Sequence, residues 1–172
     1  KPYKLSDDKG LFLLIQPNGS KYWRQKYRFG GKEKLLSFGT YPDVSLKVAR
    51  AKRDEARSLL ANDVDPGENK KAAKAAKSER AANSFEVICR EWLEQRKDTV
   101  EPAQTAKTLA RMENDVFPWI GGKAITEITA PDVLSVMRRM DERGARYTAH
   151  RVRSEVSRAF RYAIATGRAE RD

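Results

Sequence analysis

The chain has 172 residues, enough for one large domain or two small ones with a modest core in each. Its 35 Lys and Arg against 24 Asp and Glu leave a net charge of +11, which favours a polyanionic partner. One cysteine, Cys89, excludes an intramolecular disulfide, and the single histidine argues against a Cys/His metal site. No apolar run approaches the roughly 20 residues that span a bilayer, and no signal peptide is evident. The expectation is a soluble protein of a reducing compartment, with no membrane partner, metal or other cofactor. Because the sequence starts at Lys1 and ends on Arg171-Asp172, a fragment is expected.

Charge is concentrated. Residues 1–83 carry 19 basic and 10 acidic side chains, whereas residues 84–172 carry 16 and 14, the later arginines bunching between Arg138 and Arg161.

Three strands come first. Leu11–Gln16 is followed by the turn residues Pro17-Asn18-Gly19, Lys21–Phe29 ends at the hairpin signal Gly30-Gly31, and Lys32–Phe38 ends at Gly39. Alternation along the middle strand puts Trp23, Gln25, Tyr27 and Phe29 on one face and Tyr22, Arg24, Lys26 and Arg28 on the other. One face can pack on a core while the other is almost wholly cationic. A helix follows, with Ser45 as N-cap and a body from Leu46 to about Ala61. Ala49, Ala56, Leu59 and Leu60 can face the sheet, and Arg50, Arg53 and Arg57 form a basic stripe.

Residues 62–83 have no large apolar side chain after Val64, so they read as a basic linker, helical at times, able to lie along a phosphate backbone or to act as a solvated tether. Beyond it the pattern is helical. Ser84 can cap a helix whose Phe85, Ile88, Cys89, Trp92 and Leu93 make a core-facing stripe. A second helix, about Ala103–Val116, buries Leu109, Met112 and Val116 and turns Lys107, Arg111 and Asn114 outward. The chain then turns through Pro118 and Gly121-Gly122. A third helix, capped by Thr129 with Pro131 in its first turn, runs to about Glu142. The last, Tyr147–Thr166, buries Val152, Val156, Ala159, Phe160 and Ala163 and presents Tyr147, His150, Arg151, Ser154, Ser157, Arg158 and Arg161. Trp23, Trp92, Trp119, Phe85 and Phe160 read as core residues, and Cys89 as buried. The fold expected is α+β: a three-stranded antiparallel sheet with one covering helix, then a separate four-helix all-α domain.

Two blocks of sequence resemble the N-terminal part of a phage or genomic-island integrase, a tyrosine recombinase of the P4-like type. "YKLSDDKGLFLLIQPNGSKYWRQKYRFGGKEKLLSFGTYPDVSL" and "ARAKRDEARSLLANDVDP" are similar to the arm-type DNA-binding domain; "SFEVICREWLEQRK", "FPWIGGKAITEITAPDVL" and "RVRSEVSRAFRYAIATGRAERD" are similar to the core-binding domain. The resemblance implies an arm domain at 1–62, a basic linker at 63–83 and a core-binding domain at 84–172. It also implies a catalytic domain that is absent here, so that this chain is not itself an enzyme although the parent protein is. Lys47 and Val48 stand where the family usually has a Glu after the helix cap, which removes a capping-box option. His150 and Arg153 spell His-x-x-Arg, but the catalytic motif of that spelling lies further along in the family, so the match reads as coincidence.

With no catalytic triad and no phosphate loop, the chemistry expected is recognition of double-stranded DNA. A β-sheet can enter the major groove, about 12 Å wide, and present side chains to base edges. Tyr22, Arg24, Lys26 and Arg28, with Lys34 from the next strand, are the candidates in the arm domain; a merely solvated face is the alternative. In the core-binding domain the candidates are Lys107, Arg111, Tyr147, His150, Arg151, Ser154 and Arg158. The implied partners are arm-type and core-type attachment sites, other integrase protomers, an excisionase and DNA-bending proteins, in the bacterial cytoplasm and on the nucleoid. The competing reading is a stand-alone accessory nucleic-acid-binding protein with no recombinase domain.

Overall fold

A computed structural model describes residues 1–170. The chain divides into two compact units, the first Lys1–Lys74 and the second beginning at Ala75.

In the first unit, β1 (Tyr3–Ser6), β2 (Leu11–Ile15), β3 (Lys21–Phe29) and β4 (Lys32–Thr40) form one antiparallel sheet in the order β1-β2-β3-β4. The sheet therefore has four strands where the sequence pattern showed three. β1 is a four-residue edge strand with every residue exposed, so it carries no apolar alternation to announce it. Its link to β2 turns at Gly10, where φ is +82° and an added Cβ would lie 2.3 Å from the Lys26 carbonyl oxygen. Only glycine fits so close to β3. A bulge at Trp23/Arg24 lets β4 run on to Thr40.

α1 (Leu46–Ala61) begins at Ser45, whose hydroxyl accepts from the Val48 amide at 3.4 Å. Leu11, Leu13, Ile15, Trp23, Tyr27, Leu36 and Phe38 from one sheet face join Ala49 and Ala56 of α1 in a single core. The small alanines let helix and sheet approach closely. The Trp23 indole N–H donates to the Val44 carbonyl at 2.8 Å, fixing the chain just before the helix. α2 (Pro66–Ala82) occupies most of the expected linker and buries Pro66 alone.

The second unit is helical: α3 (Phe85–Gln95), α4 (Pro102–Arg111), α5 (Ala130–Glu142) and α6 (Arg146–Ala165). With α1 and α2 the described residues hold six α-helices, so the α+β class stands and the element counts are larger. Phe85, Ile88, Cys89, Met112, Val116, Val136, Val152, Val156, Ala159 and Ala163 build its core. α4 does not stop before Pro118. It continues as a wider π-type coil through Met112–Gly121 with Pro118 inside. Proline has no N–H to donate and its ring crowds the carbonyl four residues back; a widened turn accommodates both. That continuation turns Trp119 outward: it is 51% exposed rather than buried, and the Arg139 guanidinium lies 3.8 Å from its ring centroid. α5 opens with the Thr129/Asp132 capping box. No helix among the described residues is long and apolar enough to cross a membrane.

Candidate nucleic-acid interface

Strand pleating sorts the side chains of the first unit. Phe12 pairs with Arg24, Leu14 with Tyr22, Lys4 with Leu14, Lys26 with Leu35 and Arg28 with Glu33, so all of these lie on the face away from α1. Tyr22, Arg24, Lys26 and Arg28 thus stand together. Lys4 joins them, its amine 4.7 Å from the Phe12 ring centroid, while the Arg24 guanidinium lies 5.9 Å from that of Tyr22. The sequence reading missed Lys4 because it missed β1. The one acidic side chain of these strands, Glu33, bonds Lys26 at 2.7 Å, and that bond holds its carboxyl below the usual range. The Arg24 Nε is buried without a protein partner.

Lys34 is not part of this group. It pairs with Tyr27, which places it on the helix side of the sheet, where its amine bonds the buried Asp65. The same carboxylate accepts from the Tyr27 hydroxyl and from the Gly67 amide, both at 2.8 Å. The Lys34 bond, with those two, lowers the Asp65 pKa to about 2 against the cost of desolvation. Burial, reinforced by Asp65, raises Tyr27 to about 12. Two of the three arginines of the α1 stripe are also occupied. Arg50 clasps Asp7 through two bonds of 2.8 and 3.1 Å, and Arg53, buried rather than exposed, pairs with Asp54 and approaches Asp7. These arginines fasten the β1–β2 turn to the helix.

In the second unit α4 and α6 border an open groove lined by Gln104, Tyr147, His150, Arg151, Ser154, Glu155 and Arg158. One turn apart on α6, the Arg151 guanidinium donates to the Tyr147 hydroxyl at 2.6 Å and lies 4.8 Å from its ring centroid. The Ser154 hydroxyl donates to the His150 carbonyl at 3.3 Å. Five of the seven expected residues therefore line one groove. Lys107 is exposed on α4 but outside the groove lining. Arg111 turns inward: it bonds the buried Glu155, which also accepts from the Thr108 hydroxyl at 3.1 Å. The sequence reading missed Gln104, although Gln104, Thr108 and Arg111 recur at i, i+4, i+7 on the face of α4 that meets α6.

The sheet face and the helical groove are each a concentration of hydrogen-bond donors with flat aromatic rings, a surface suited to phosphates and base edges. Comparison with known proteins agrees on the kind of molecule. The phage integrase central domain matches residues 85–172, and the Arm DNA-binding domain matches residues 1–73. The prophage integrase IntS of Escherichia coli (strain K12) is 38% identical over 170 residues, covering 99% of this chain and 43% of IntS. The integrase of Enterobacteria phage P4 is 39% identical over 166 residues, covering 95% of this chain and 37% of its own length. The NMR structure of a fragment of IntS superimposes with a TM-score of 0.50 at 36% identity, over 53% of this chain and 77% of that one. The chain thus spans less than half the length of the two full-length integrases, and with more than half its residues in the integrase central domain it belongs to the phage integrase family.

Proposed function

We propose that this chain is the DNA-binding portion of a site-specific integrase that integrates and excises a prophage or genomic island, with an arm domain at 1–62, a linker at 63–83 and a core-binding domain at 84–172. The observation that carries the reading is the segregation of Lys4, Tyr22, Arg24, Lys26 and Arg28 onto the sheet face opposite α1. In this reading that face enters the major groove of an arm-type site. Arg24 and Arg28 bond base edges, while Lys4 and Lys26 hold phosphates.

The α4–α6 groove takes the core-type site, with Arg151 and Arg158 on phosphates and Gln104, Tyr147, His150 and Ser154 within reach of the duplex. Glu155 and Arg111 position the two helices from beneath and touch no DNA. The reading assigns no strand-cleaving residue to this chain, and leaves that chemistry to a tyrosine-recombinase catalytic domain outside these 172 residues. Two modules on one chain raise each other's effective concentration on a shared DNA molecule. Other protomers, an excisionase and bending proteins would then complete a synaptic complex in the bacterial cytoplasm.

A mobility shift with labelled attachment-region DNA and excess unrelated duplex tests this. Binding that survives the competitor is the expected result. Binding removed by any duplex equally would reduce the chain to a non-specific basic module.

A further inference from the structure

α2 carries a second kind of charge pattern, separate from the sheet face and from the groove. Apart from Pro66 it buries nothing, so no apolar stripe explains its helical sequence. Its charges are sorted instead. At 100° per residue Lys70, Lys74 and Lys77 fall within about 60° of one another, and Glu68 and Glu79 fall on the opposite side. Lys71, off the ridge, is neutralised by Glu68 at 2.8 Å. Lys74 and Lys77 are exposed, with no ion-pair partner among the described residues. Lys70 donates to the Ser37 carbonyl at 2.6 Å, on the open edge of β4, so the ridge starts beside the sheet that bears Arg24 and Lys26.

Like charges four residues apart disfavour an isolated helix. A ridge of them on a helix with no packed face keeps that repulsion, and a polyanion alongside would relieve it. The ridge spans about 10 Å, and over that length a duplex presents about six phosphate charges. The helix opposes its positive side to a partner that is uniformly negative and keeps its acids turned away.

We infer that the α2 ridge of Lys70, Lys74 and Lys77 is a third DNA contact, made to the phosphate backbone without regard to sequence. The inference rests on the reading of this chain as a DNA-binding one. It assigns α2 a part of the affinity that neither the sheet nor the groove supplies, and makes the segment between the two modules an active element rather than a tether.

The test compares the wild-type chain, the triple variant Lys70→Gln/Lys74→Gln/Lys77→Gln and the variant Glu79→Gln, which leaves the Glu68–Lys71 pair intact, on a random-sequence duplex of several helical turns, across a salt series. Glutamine keeps helix propensity near that of lysine. The expected result is a log–log salt dependence shallower by about one for each lysine removed, and affinity at low salt reduced about tenfold or more. The Glu variant, altered on the far side, should change affinity less than twofold, and far-ultraviolet circular dichroism should show the same helix content in all three chains. If the triple variant keeps wild-type affinity and slope, the inference fails while the proposed function stands. A gain in affinity by the Glu variant as large as the loss in the triple variant would mean that only net charge matters, and would also overturn it. If the wild-type chain binds no duplex at all, both fall.

Discussion

Tyr27 and Lys34 stand directly opposite one another across β3 and β4, and both turn their polar ends to the single carboxylate of Asp65. This one pairing removes a lysine from the cationic face and spends it on tying the start of α2 to the sheet. Lys34→Met should therefore lower Tm by several degrees and leave DNA affinity within about twofold, since it strands a buried acceptor without touching the opposite face. Arg24→Ala and Arg28→Ala should do the reverse, weakening binding to an arm-type site about tenfold or more with little change in Tm. Thermal melts and mobility shifts on the same three variants separate the two roles.

Acid should loosen the first unit through Asp65. Its folded pKa, about 2, lies below the unfolded value near 4, so its stabilising contribution is whole above about pH 4 and is lost as pH falls toward 2. Asp132, lowered to about 2 chiefly by Lys123 and also by its bonds to Thr129, adds the same sign in the second unit. At the alkaline end Tyr27, raised to about 12, favours the fold below pH 10 and ceases to do so as pH rises through 12. Urea midpoints measured from pH 2 to 6 should fall steeply only below pH 4 in the wild-type chain, and less steeply in Asp65→Asn.

Glu155 and Arg111 make the buried bridge between α6 and α4. Arg111→Met alone leaves a buried charge unpaired and should cost about 3 kcal/mol or more. Arg111→Met with Glu155→Met should recover most of that loss, because replacing both charges by apolar groups removes the desolvation penalty as well. Chemical denaturation of the two variants decides it. Recovery of stability with retained DNA binding would place Arg111 outside the interface.

The groove residues should behave differently. Arg151→Gln and Arg158→Gln should each weaken a core-type duplex a few-fold and flatten its salt dependence by about one. Gln104→Ala should act on one sequence more than on another if it reaches a base edge. A competition titration with two related duplexes reads this directly.

Cys89 lies wholly buried in the core of the second unit, and burial raises its thiol to about 12. It should resist alkylating reagents in the native chain at pH 8 and react readily in denaturant. Labelling in the native state at the rate of a free thiol would mean that the helical core opens.

Much of the fold could be read directly from the residues. The alternation of β3, the Gly30-Gly31 hairpin, the Ser45 cap and the stripe Phe85, Ile88, Cys89, Trp92 and Leu93 are local patterns with local causes, and the structure repeats each of them. β1 escaped because a short, wholly exposed edge strand has no buried side to create a pattern. The π-type coil escaped because Pro118 signals a break in any local reading, and only packing of Val116 and Ile120 into the core holds the chain helical past it.

Sequence alone determined which residues carry charge and, in β3, which face of the strand they take, since those follow from composition and a fixed period. Tertiary structure alone decided which of those charges are free. Lys34, Arg53 and Arg111 look in sequence like their neighbours Arg24, Arg57 and Arg158, yet each meets a carboxylate brought from a distant or adjoining position. Whether a cation is spent on the fold or left for a partner depends on where an acid lands in space, and no periodicity encodes that.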